Sequence, residues 1–189
     1  MSIAGDRPYV SRGGVKLAAA MDAFTLNVDG LVCADFGANV GGFTDCLLRR
    51  GAAKVYAIDT GYGTLAWTLR KDPRVVVMER TNAMHVELPE TLDVVTIDAG
   101  WTKQRNILPN AVRVLKSTGR IVTLIKPHYE ADKSDLDAGV LPANLVEPVM
   151  QSVCECFAGL GLRMENHIDS PILGQKGNRE ILALLVRVE

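Results

Sequence analysis

Short apolar runs alternate with segments of helical spacing along the chain, and that alternation predicts βαβ units around a mostly parallel sheet. Ser11 stands where it could cap a first helix in which Leu17, Met21 and Phe24 share one face. Residues 31–36 read as a buried strand, and residues 42–50 as a helix stopped by Gly51. A second strand follows at 54–59, a helix at 64–70 that must end before Pro73, and strands at 75–78 and 92–98. The pattern then gives a helix from about 106 to 115, a turn at 117–119 and a fifth strand at 120–126. The polar stretch 130–142 is expected to be a loop. Helical spacing returns over 145–160 at Val149, Val153, Phe157 and Leu160. The last two strands are expected at 163–168 and 181–188, joined by a loop that carries Pro171, Gly174 and Gly177.

The fold expected from this order is α/β: a Rossmann-like, seven-stranded, mostly parallel sheet with helices on both faces, in one domain over residues 1–189. A chain of 189 residues buries a sufficient core, and 48% hydrophobic with 23% charged residues is ordinary for a soluble protein. No apolar run would span a bilayer, and residues 1–8 lack the apolar stretch of a signal peptide. Cys33, Cys46, Cys154 and Cys156 show no zinc-like spacing, so no metal is expected; they read as reduced core thiols of a cytoplasmic protein. A net charge of -1 argues against a surface that grips nucleic acid throughout, and leaves room for a local basic patch at Arg7, Arg12 and Lys16.

In open α/β sheets ligands bind beyond the carboxyl ends of the strands, which directs attention to Gly37, Asp59, Asp98 and Lys126. The densest local signal is Asp35-Phe-Gly37-Ala38-Asn39-Val-Gly41-Gly42-Phe43, a strand running through a glycine-rich turn into a helix. A dinucleotide fingerprint wants glycine where Asn39 stands, and the Gly-Lys-Ser/Thr ending of a phosphate loop is missing. An acid just before the glycines repels a pyrophosphate and suits a cationic sulfonium. Asp59, 22 positions beyond Gly37, has the spacing of a carboxylate that accepts from ribose hydroxyls. Asp98 and Lys126 each end an apolar run, and as a pair at neighbouring strand ends they point to a site.

Several segments resemble a known family: Ser11-Arg-Gly-Gly-Val-Lys16-Leu, the glycine turn through Asp45-Cys-Leu-Leu, Val55-Tyr-Ala-Ile-Asp-Thr-Gly-Tyr-Gly63, Leu65-Ala-Trp-Thr-Leu-Arg70, Asp72 to Asn82, Leu124-Ile-Lys-Pro127 and Gly177-Asn-Arg-Glu180. They are similar to the methyltransferase domain of the TlyA (hemolysin A) family, within the FtsJ-like ribose 2'-O-methyltransferases. The resemblance implies S-adenosylmethionine (SAM) as cofactor and RNA, ribosomal RNA foremost, as substrate. It implies a catalytic set of Lys16, Asp98, Lys126 and Glu180, and SAM contacts from Gly37, the Gly41–Gly42 turn, Asp59 and the Thr81–Asn82 segment. With the glycine turn itself, the expected cofactor-binding set is Asp35, Gly37, Ala38, Asn39, Gly41, Gly42, Phe43, Asp59, Thr81, Asn82 and Asp98. A neutral Lys126 would accept the hydroxyl proton while the two acids hold the lysines and the substrate.

The resemblance also marks departures. Relatives carry an N-terminal S4-type RNA-binding module, for which this chain has no room, so a protein partner or an oligomer is expected to supply RNA affinity. Relatives read Asp-Val-Ser-Phe at the fourth strand, where this chain has Asp98-Ala-Gly-Trp101, and their Lys- and Gly-rich loop is here the acidic 130–137. Two further readings follow: a methyltransferase acting on a small hydroxylated molecule, and a non-catalytic SAM-binding protein acting through partners. The membrane-lytic activity that the hemolysin name suggests finds no amphipathic basic helix to carry it.

Overall fold

A computed structural model describes residues 8–100 and 102–188 of the chain. Arg7 of the expected basic patch and Trp101 lie outside the described residues. Seven strands form one sheet in the order β3-β2-β1-β4-β5-β7-β6: β1 Val32–Phe36, β2 Lys54–Ile58, β3 Val75–Met78, β4 Leu92–Ile97, β5 Leu115–Ile125, β6 Leu162–Asp169 and β7 Ile181–Arg187. The first five pair in parallel, and β7 is inserted antiparallel between β5 and β6. The expected architecture is the observed one.

The central strands are apolar throughout because both faces of the sheet are covered. Their side chains alternate between two cores. Ala34, Phe36, Val95, Ile97, Ile121 and Ile125 pack beneath α4 (Gln104–Val114) and α6 (Ala143–Gly159). Cys33, Val55, Ala57, Val94, Val122 and Leu124 pack beneath α1 (Arg12–Ala23), α2 (Gly42–Arg49) and the single turn α3 (Trp67–Arg70).

Three local expectations are corrected. Ser11 occupies the N-cap position of α1 and makes no capping hydrogen bond with its side chain. Strand β5 starts at Leu115, and the expected turn at 117–119 is instead a register shift against β4, where Leu92 pairs with Leu115 but Val94 with Arg120. One helical turn, α5 (Pro127–Glu130), leads into the stretch 130–142 expected as a loop, which itself holds a short helical turn at Lys133–Asp135; Pro127 at the first position of α5 suits the fixed φ of proline. Cys33 and Cys46 are buried, whereas Cys154 and Cys156 are half-buried on α6.

Candidate active site

The carboxyl ends of β1, β2, β4 and β5 bring Gly37, Asp59, Asp98 and Lys126 to one edge of the sheet. Because β7 runs the other way, its first residues reach that same edge, and Glu180 precedes Ile181 there, opposite Ile125. Lys16 arrives from the middle of α1. The Lys16 amine donates to Glu180 Oε2 at 2.5 Å, and both side chains are nearly fully buried. The Lys126 amine donates to Asp98 Oδ1 at 2.6 Å, with both side chains partly open. The two pairs stand in one cleft of about 370 Å³ whose floor is the Gly37–Asn39 turn. The four residues named from the resemblance therefore meet in a single chamber, although Lys16 and Glu180 are 164 positions apart.

Backbone geometry accounts for the glycines. Gly37 has φ +90°, and a Cβ there would stand 2.6 Å from the Asp98 carbonyl oxygen, so the β1 and β4 ends can approach only without a side chain. Gly42 opens α2 against α1: a Cβ would lie 2.2 Å from Ser11 Oγ and 2.8 Å from the Gly14 nitrogen. That close approach carries α1, and with it Lys16, over the sheet edge.

Two of the expected cofactor residues face elsewhere. Asp35 is fully buried beneath α2. Its Oδ2 accepts from the Thr44 amide at 2.9 Å and the Thr44 hydroxyl at 2.7 Å, and it lines neither part of the cleft. It caps α2 from the strand below, a duty the N-cap Gly41 has no side chain to perform. Burial pushes its carboxyl up to about 7, against the opposing Thr44 hydrogen bonds. Its carboxyl therefore serves the turn, and the direct sulfonium contact expected of it is not available. Gly41 points toward Leu65 and Leu69 of the α3 segment and also lies outside the cleft lining.

Ala38, Asn39, Gly42 and Phe43 line the main cleft. A second recess of about 160 Å³ opens from it past Gly37 and Gly100, lined by Asp59, Thr81 and Asn82 with Ile58, Met84 and Ile107 as apolar wall. Asp59 Oδ2 accepts from the Asn39 amide at 2.8 Å and Oδ1 from the Gly61 amide at 2.7 Å, so the carboxylate is fixed while each oxygen keeps a lone pair. An apolar slot with a fixed carboxylate at its mouth fits a nucleoside, and the adjoining polar cleft fits an amino-acid tail. Those are the two halves of SAM.

His128 is a cleft residue that sequence reasoning missed. Pro127 turns the chain back at once, which places the residue two beyond Lys126 on the same chamber. His128 is buried, and among the described residues its Nδ1 has no hydrogen-bond partner. Burial lowers its pKa, the Glu180 carboxylate opposes that shift, and the Lys126 charge adds to it. The net effect disfavours the imidazolium. The Lys-Pro-His sequence was its only available signal.

Comparison with known proteins agrees with this geometry. Residues 9–187 match the FtsJ-like methyltransferase family. The chain is 41% identical over 181 residues to the 16S/23S rRNA (cytidine-2'-O)-methyltransferase TlyA of Mycobacterium tuberculosis, covering 93% of this chain and 67% of that protein. It is 39% identical to Hemolysin A of Brachyspira hyodysenteriae, covering 93% of this chain and 75% of that one. A solved hemolysin structure from Streptococcus thermophilus superposes with a TM-score of 0.94 at 35% identity, covering 98% of this chain and 70% of that chain. With a Rossmann-like sheet, a cleft shaped for SAM and relatives of this closeness, the chain belongs to the FtsJ-like methyltransferase family and is a SAM-dependent methyltransferase.

Proposed function

We propose that this methyltransferase acts on a ribose 2'-hydroxyl of ribosomal RNA, using Lys16, Asp98, Lys126 and Glu180. The observation that carries the reading is the meeting of two lysine–carboxylate pairs in one chamber directly above the glycine turn. The cofactor supplies an electrophilic methyl group on a sulfonium. The chain has to position a hydroxyl against it and take away one proton. Lys126 is the more exposed of the two amines, which favours it as the one that meets the substrate. Asp98 orients it; once it has lost its own proton, its lone pair accepts the hydroxyl proton. Glu180 holds Lys16 so that a second positive charge faces the oxygen as negative charge develops there. His128, whose burial disfavours a charge, adds a polar edge to the chamber.

A small hydroxylated acceptor is the second reading, and the net charge of -1 favours it. One experiment separates the two. The protein is incubated with methyl-labelled SAM and either ribosomal subunits or a small-molecule extract, and the RNA is then digested to nucleosides. Label in a 2'-O-methyl nucleoside is the expected result. Label confined to the extract would overturn the RNA assignment.

A further inference from the structure

Of the six large hydrophobic side chains left exposed among the described residues, Val76 lies within β3 and Val188 follows β7 at the far end of the sheet, and the other four share one side. Val40, Tyr62, Trp67 and Leu173 all lie on the carboxyl-end side of the parallel strands, the side that holds the cleft. Val40 lines the cleft itself, and Leu173 precedes Gly174, which lines it from the opposite rim. Tyr62 and Trp67 are 70% and 67% exposed, values at which a large ring contributes little to its own fold. The strip is continuous with the chamber. The Ala66 amide donates to the Val40 carbonyl at 3.0 Å, and Trp67 follows Ala66.

Each of the two rings carries a cation. The Arg80 guanidinium lies 4.1 Å from the Tyr62 ring centre, and the Lys71 amine 4.8 Å from that of Trp67. Among the described residues neither cation is in a salt bridge, in contrast to Arg70 and Arg74 beside them, which pair with Glu79 and Asp72. Arg80 is held with φ 52° by its amide's bond to the Gly61 carbonyl at 3.0 Å, which clasps the Tyr62 loop to the end of β3. A ring with one face against a cation and two-thirds of its surface open is built to stack on a flat partner while the cation meets an anion. Bases and phosphates of a single strand supply both.

We infer that Tyr62–Arg80 and Trp67–Lys71 form a stacking platform for single-stranded RNA beside the methyl-transfer cleft, and that it holds the nucleotides flanking the one being methylated. The inference rests on the RNA reading above and names the surface by which this domain itself grips its substrate. A protein partner would need a larger continuous apolar face than two rings interleaved with unpaired cations.

The test uses the whole chain and a fluorescent single-stranded RNA oligonucleotide of mixed sequence at low salt. Stacking on an aromatic ring is worth a factor of about 10 per base. Tyr62→Ala and Trp67→Ala are each expected to weaken binding about 10-fold. Tyr62→Phe and Trp67→Phe should bind close to wild type, and Lys71→Ala with Arg80→Ala should flatten the salt dependence. SAM affinity by calorimetry stays unchanged in all of them. On ribosomal substrate the alanine variants should raise KM with little change in kcat. If the folded Tyr62→Ala/Trp67→Ala double variant binds the oligonucleotide as wild type does, the platform is wrong, including the case in which the patch proves to capture a protein. Oligonucleotide binding is read without turnover, so an absence of methyl transfer by wild type would count against the RNA assignment and leave the platform's own result legible.

Discussion

Lys126 directly follows β5, a strand held by β4 on one side and β7 on the other, so removing its amine leaves the sheet in place. Lys126→Ala is expected to lower kcat by about 10²–10⁴-fold while SAM affinity stays near wild type, because the role proposed for the amine is on the hydroxyl and not on the cofactor. Lys126→Arg should not rescue, since a guanidinium stays protonated. Single-turnover transfer, calorimetry and a melting curve on one preparation check this; loss of activity only in step with loss of stability would make Lys126 a mere tie to Asp98. Asp35 gives a prediction in pH. Its carboxyl rises from the ordinary carboxylate range to about 7 on folding, so the folded state disfavours its ionised form. The sign follows: its contribution is fully present below pH 4 and is lost as pH rises toward 7. Asp35→Asn, which cannot ionise and can still accept from Thr44, should remove that part of the pH slope; equal slopes in urea melts of the two proteins from pH 4 to 7 would rule it out. Asp35 also shows where sequence reading stops at this scale. Its acid-before-glycine position was legible as important, but its role depends on Thr44 and Thr96 closing over it, and that is a fact of packing.

Among the elements, the parallel strands were the most legible, because a strand covered on both faces must be apolar along its length. Glu180 was not legible from spacing, since nothing in the chain announces that β7 inserts antiparallel and delivers its first residues to the carboxyl ends of the others. Lys16 was hidden for a related reason: a lysine in the middle of a helix ordinarily faces water, and here Gly13 and Gly42 let α1 settle so closely on α2 that this lysine is buried. The family resemblance supplied both residues, and the geometry explains them. The Lys16–Glu180 pair is also the tie between α1 and β7. Lys16→Met leaves a carboxylate buried and unpaired, at a cost of about 3–5 kcal/mol. Adding Glu180→Leu should return most of the lost melting temperature without returning methyl transfer. A double variant as unstable as the single one would show that the pair is not what couples these elements.

Over the whole molecule the charges nearly cancel, at -1, and no helix among the described residues is long and apolar enough to cross a membrane. Composition could say only that no large basic face dominates; it could not say which cations stand free of a salt bridge beside the cleft. Three do so among the described residues: Arg12 is exposed on the cleft lining, and Lys71 and Arg80 stand over the rings beside it. The acidic stretch after β5 is less repulsive than its sequence suggests. Glu130 is drawn inward, accepting from the Gln104 amide at 2.7 Å, and burial raises its carboxyl. A protein with no net positive field gains little long-range steering toward RNA, and its affinity must come from short contacts. Each phosphate neutralised on a single strand contributes about 0.7 to the slope of log affinity against log salt, so three such cations predict a slope of about -2. Fluorescence anisotropy with a short single-stranded RNA across a salt series should give weak binding with that shallow slope. The stacking contribution should persist as a salt-independent remainder, lost with Tyr62 and Trp67 and not with the cations. A slope several times steeper would mean that phosphates meet a basic surface other than the cleft edge, and the RNA path across the molecule would have to be redrawn.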